Sequence, residues 1–130
     1  MAVDVHVVTP EREVWSGQAA MVIARGVEGE VGILAGHAPM LVRLAIGPLR
    51  IQHDGEEVSS VVDGGFLHVT TNQGVTRVDV LAPSASLASE IDVERERRRV
   101  AELELRIADH DDADAHTQLA MALARVNLRG

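Results

Sequence analysis

The spacing of apolar residues changes once along this chain, at Pro83, and that change limits the fold more than any other feature. Before it, Val3, Val5 and Val7 alternate with Asp4 and His6, and a period of two marks a strand with one wet face. Short stretches of strand type follow over 13–18, 21–25, 40–45, 49–53, 57–62, 66–70 and 75–81. Asp54-Gly55, Gly64-Gly65 and Asn72-Gln73-Gly74 punctuate them. Many short strands broken by turn residues predict a sandwich or a flattened barrel. In the last stretch Val75, Val78 and Val80 are interleaved with Thr76, Arg77 and Asp79, which reads as an edge or half-exposed strand.

After Pro83 the period becomes helical. Ser84-Ala85-Ser86 reads as a polar connector, and Asp92 as a helix N-cap whose carboxylate accepts free first-turn amides. Val93, Val100, Leu103 and Ile107 then share one face. Glu94 with Arg98, and Glu102 with Arg106, are spaced as ion pairs on the wet side. The pattern stops at Asp109-His110-Asp111-Asp112. Asp112 can cap a second helix over 113–128, with Leu119, Leu123 and Val126 as its stripe and Ala115 and Ala122 thinning the contact. Two helices joined by a short polar loop form an antiparallel hairpin. Met121 and Leu128 lie off that stripe, so the second helix has an apolar side that needs another surface, either the β domain or a different subunit. The predicted architecture is a β domain over 1–83 followed by a helical hairpin over 84–130.

Composition removes whole classes of chemistry. The chain of 130 residues has no cysteine, which excludes thiol catalysis, thiolate metal sites and disulfides. All 12 basic residues are arginine, so lysine Schiff bases and P-loop lysines are absent as well. A formal net charge of −8 argues against a nucleic-acid-binding face. No apolar run approaches a spanning helix and the N-terminus lacks the pattern of a signal peptide, so a cytosolic protein that does not insert into the membrane is expected.

The remaining candidates for chemistry are weak. Gly26, Gly29, Gly32 and Gly36 lack the Gly-Lys-Ser/Thr sequence of a phosphate loop and read as turns between strands. His37 in Gly36-His37-Ala38-Pro39 reads as a loop-holding residue. A general base paired with Asp63, in a small hydrolase, is the competing idea. His110 and His116 flank Asp111, Asp112 and Asp114, an acidic loop expected to be solvated rather than to hold a metal. Arg95 and Arg97-Arg98-Arg99 alternate with glutamates as a charged helix face, from which Arg95 can reach a phosphate or an acidic loop. A free-standing adaptor that binds a peptide on an edge strand is a further alternative.

Four stretches, in order, resemble one family. They are Val14-Trp15-Ser16-Gly17, then Gly29-Glu30-Val31-Gly32-Ile33-Leu34-Ala35-Gly36-His37-Ala38-Pro39-Met40-Leu41, then Val62-Asp63-Gly64-Gly65-Phe66, then Val78-Asp79-Val80-Leu81-Ala82. Together they are similar to the epsilon subunits of bacterial F-type proton-translocating ATP synthases, with Ala35 departing from a common proline. The resemblance implies a ten-stranded β-sandwich, a C-terminal two-helix hairpin and no catalytic residues. It implies a place in the central stalk, peripheral to the cytoplasmic face of the plasma membrane. The sandwich would contact gamma and the c-ring, with Glu30 and His37 at the matching positions. The hairpin would reach towards alpha and beta and restrain ATP hydrolysis. In some members the folded hairpin binds ATP as a regulatory ligand through Ile-Asp-x-x-Arg-Ala and later arginines. Ile91, Asp92 and Arg95 match the start of that motif. Glu96 replaces its alanine, and Glu102 stands where an arginine is expected, a carboxylate there repelling a phosphate.

Overall fold

The computed structural model describes residues 2–110 and 112–129. Nine strands come first: β1 (Val3–Val8), β2 (Glu13–Ala19), β3 (Met21–Gly26), β4 (Gly29–Ile33), β5 (Met40–His53), β6 (Glu56–Asp63), β7 (Phe66–Asn72), β8 (Val75–Leu81) and β9 (Ala85–Leu87). A 3-10 turn over Ala88–Glu90 leads to α1 (Val93–Asp109) and α2 (Ala113–Arg129).

The strands form two layers that share β5. Its first residues, Met40 to Arg43, pair with β7. Residues from Ile46 to His53 pair with β6, and the same half pairs with β3. One layer therefore runs β2-β1-β8-β7-β5 and the other β4-β3-β5-β6-β9. Sequence reasoning expects two strands here, broken at Gly47-Pro48, and the chain instead passes straight through. Counting the halves of β5 separately turns nine strands into the ten implied by the family resemblance.

Alternation fills the space between the layers. Val3, Val5, Val7, Val22, Leu49, Ile51, Leu67, Val69, Val78 and Val80 are all buried there. The side chains are almost entirely Val, Ile, Leu and Ala, the β-branched and small residues that pack well on a pleated surface. Gly65 joins the layers between β6 and β7 at φ +99°, where a Cβ would collide with the Leu81 carbonyl and the Ala82 backbone. That turn requires glycine.

Three expectations need correction. β8 is half-exposed, one of its two expected readings, but no edge strand: it lies between β1, to which it runs parallel, and β7, to which it runs antiparallel. Its outward residues are wet because one face of the layer is wet. Gly29 and Gly32 lie within strand β4, paired with β3, and are not inter-strand turns. The sheet also continues past Pro83, because β9 pairs with β6 at Ser60, Val61 and Val62. Ala85 and Ser86 of the stretch read as a polar connector lie in a strand.

The hairpin forms with the expected caps. Asp92 Oδ1 accepts the Arg95 amide at 3.1 Å and Asp112 Oδ1 accepts the Asp114 amide at 3.0 Å. Leu103, Ala115 and Ala122 are buried at the seam, flanked by Val100, Ile107 and Leu119. Leu123 is instead 40% exposed, off the seam. Glu94 pairs with Arg97, one residue nearer than expected, at 2.6 Å. The apolar side left over on α2 lies against β5 and β6 of the second layer.

Candidate functional sites

Glu30 is exposed on β4, opposite Arg25 of β3. It lines an open cleft of about 430 Å³ with the Val27-Glu28 turn and with Leu41 and Arg43 of β5. Val27 and Leu41 are 58% and 66% exposed. The cleft thus joins a carboxylate to bare apolar side chains, a mixture suited to docking.

His37 does not line that cleft. Its loop is tied to the β7–β8 hairpin by two threonines. The Gly36 amide donates to Thr76 Oγ1 at 2.7 Å, and Thr71 Oγ1 donates to the His37 carbonyl at 2.8 Å. The ring Nδ1 donates to the Ala38 carbonyl at 2.7 Å. The loop-holding reading of this segment therefore has a physical basis in buried Thr76. The hydrolase idea does not, because Asp63 is engaged with Ser84 and Arg125 and makes no bond to His37.

A second surface was not anticipated. Pairing across four strands sets Val8, Leu81, Phe66 and Arg43 in one row on the outer face of the first layer. Phe66 and Leu81 are 47% and 52% exposed. Their apolar groove, about 430 Å³, is closed by Pro10 and Pro83. The signal was present in the sequence as adjacent apolar pairs, Phe66-Leu67 and Val80-Leu81. A strand can bury only one member of each pair, so the other must face out.

The third candidate lies on the hairpin. Ile91 is buried, and the Asp92 carboxylate is committed to capping α1. Arg95, Arg98, Arg99 and Arg125 line a cleft of about 330 Å³ together with Glu96 and Glu102. The three motif residues are thus near one another, and only Arg95 faces the cleft. Arg125 also reaches out of it to Asp63 of β6, at 2.9 Å.

Between sandwich and hairpin, Glu90 accepts from Arg12 at 2.8 Å and from the Leu87 amide at 2.9 Å. The Arg12 hydrogen bond first, then the backbone one, hold the Glu90 carboxyl below its ordinary value. Among the described residues, no group of three or more His, Asp or Glu side chains converges as a metal site. Asp111 of the inter-helix loop lies outside them. No helix among them is long and apolar enough to cross a membrane.

Comparison with known proteins follows this division of the molecule. A family described as the beta-sandwich domain of the ATP synthase delta/epsilon chain matches residues 2–88, ending just before the helices. The chain is 50% identical over 92 residues to the ATP synthase epsilon chain of Brevibacillus brevis, covering 70% of this chain and 67% of that one. It is 51% identical over 94 residues to that of Thermobifida fusca, covering 70% and 66%. The chain thus spans about two thirds of the length of these relatives. A chain in the mitochondrial ATP synthase of Euglena gracilis, solved with OSCP, F1 and the c-ring, superposes with a TM-score of 0.76 at 26% identity. That match covers 98% of this chain and 78% of the other. A chain from the central stalk and c-ring structure of the Tetrahymena thermophila enzyme shares the fold, with a TM-score of 0.60 at 16% identity.

Proposed function

The chain belongs to the ATP synthase delta/epsilon family, and from that premise we propose that it is a non-catalytic rotor-stalk subunit whose sandwich grips and whose hairpin regulates. The outward apolar row of Phe66, Leu81 and Val8 carries this reading. An outward apolar groove closed by Pro10 and Pro83 is suited to a partner's side chains. Its partner is gamma. Glu30, the His37 loop and the neighbouring Val27–Leu41 cleft meet gamma and the polar loops of the c-ring. The subunit thereby sits peripherally at the cytoplasmic face of the membrane and couples proton-driven rotation to ATP synthesis. The hairpin restrains hydrolysis by leaving the sandwich and meeting alpha and beta.

A second, regulatory reading concerns ATP at Ile91, Asp92 and Arg95. The arginine-lined cleft favours it, and Glu96 and Glu102 in the same cleft oppose it.

The test separates grip from brake in the assembled enzyme. A chain cut after Ile91 keeps β9 and the 3-10 turn; it should still bind gamma and should raise ATP hydrolysis. Phe66→Asp places a charge in the exposed row and should abolish gamma binding without unfolding the sandwich. Full gamma binding by Phe66→Asp would remove the grip, and unchanged hydrolysis after truncation would remove the brake.

A further inference from the structure

Strand alternation sends Val58 and Val62 of β6 into the sandwich and Asp63 to the opposite side, under α2. The Asp63 side chain is 0% exposed. Its Oδ2 accepts from the Ser84 hydroxyl and from Arg125 Nη2 at 2.9 Å, while Oδ1 has no partner among the described residues. Arg125 lies on α2 and its side chain is 17% exposed. A buried carboxylate costs several kcal/mol unless its charge is met. Among the described residues, the cation that meets it belongs to the other module.

We propose that Asp63 and Arg125 form the latch that holds the helical hairpin down on the sandwich. This rests on the reading that the hairpin leaves the sandwich, and it names the contact that decides how often. The apolar contact of α2 with β5 and β6 is non-directional; the ion pair supplies the direction. The latch is self-contained, because the guanidinium that could serve a ligand in the arginine cleft is already held by a side chain of this chain. Lifting the hairpin breaks the pair and, at the same step, admits water to Asp63. Solvation then offsets part of the lost attraction, so the latch can open.

This has an asymmetric signature. In Arg125→Gln, docking would bury an unmatched carboxylate, so undocking should rise the most. In Asp63→Asn, docking leaves a partly exposed guanidinium beside an amide, a smaller penalty. Arg125→Gln with Asp63→Asn removes both charges and should recover much of the docking. The lack of native cysteine allows spin labels on Glu56→Cys and Ala120→Cys, both exposed sites, to report hairpin–sandwich separation in the isolated full chain. Arg125→Gln should raise the separated population about tenfold, and the double variant should fall between it and the parent. An unchanged separation in Arg125→Gln, or additive effects of the two substitutions, would overturn the latch. Amide exchange of β1 and β8 checks that the sandwich stays folded, and if Asp63→Asn unfolds it, Arg125→Gln on the hairpin decides alone. Because alpha, beta and gamma are absent, the result is independent of whether truncation changes hydrolysis.

Discussion

The sandwich and the hairpin are built from the same kinds of apolar residue and differ in how many of them are enclosed. Among the described residues, seventeen buried side chains form the sandwich core, whereas Leu103, Ala115 and Ala122 form that of the hairpin. Sandwich burial is drawn from strands far apart in sequence, as where β1 pairs with β8. Hairpin burial is local. A core of the first kind melts as a unit, and one of the second kind opens alone. The family match ends where the first kind of core ends. The contrast fits a fixed grip joined to a movable arm.

The same deletion in each region should therefore behave differently. Leu67→Ala opens a cavity in the fully enclosed sandwich core and should cost about 3–5 kcal/mol, seen as a large fall in the melting temperature of the whole chain. Leu103→Ala should cost about 2 kcal/mol, read as faster amide exchange in α1 and α2 while the sandwich transition stays in place. If Leu103→Ala instead lowered the sandwich transition, the two regions would be one cooperative unit and the comparison would break. The smallest effect lies at the joint. Since the folded carboxyl of Glu90 titrates below its ordinary value, its contact with Arg12 stabilises above the ordinary carboxylate range. That contribution is lost as pH falls through the lowered value. Glu90→Gln should lower neutral-pH stability slightly and flatten the acid limb of the stability curve, both measurable by circular dichroism.

The helices were legible because their signals are local. Asp92 and Asp112 cap what they were expected to cap, within three residues of their partners. Seven of the nine described strands were legible, β5 as two pieces, and their arrangement less so. β4 was hidden by Gly29 and Gly32, whose usual role is in turns, and β9 by Ser84 and Ser86 around a single alanine. The position of β8 inside its layer depends on pairing with β1, and no local pattern carries such a pairing. Of the candidate sites, the exposed row could have been read from Phe66-Leu67 and Val80-Leu81. The Asp63–Arg125 pair could not. Its partners stand 62 residues apart, and Asp63-Gly64-Gly65 reads as a turn.

β5 gives the sandwich a mechanical property. Because its fourteen residues serve both layers, the layers are stitched by an unbroken backbone and cannot slide past one another without stretching covalent chain. A twisting load entering through the outward face of Phe66 and Leu81 reaches the second layer along that spar, with the ladder hydrogen bonds on either side sharing it in shear. The hairpin has no such strand through it. A load on α2 meets its side-chain contacts a few at a time, so it peels while the body beneath it turns as one piece.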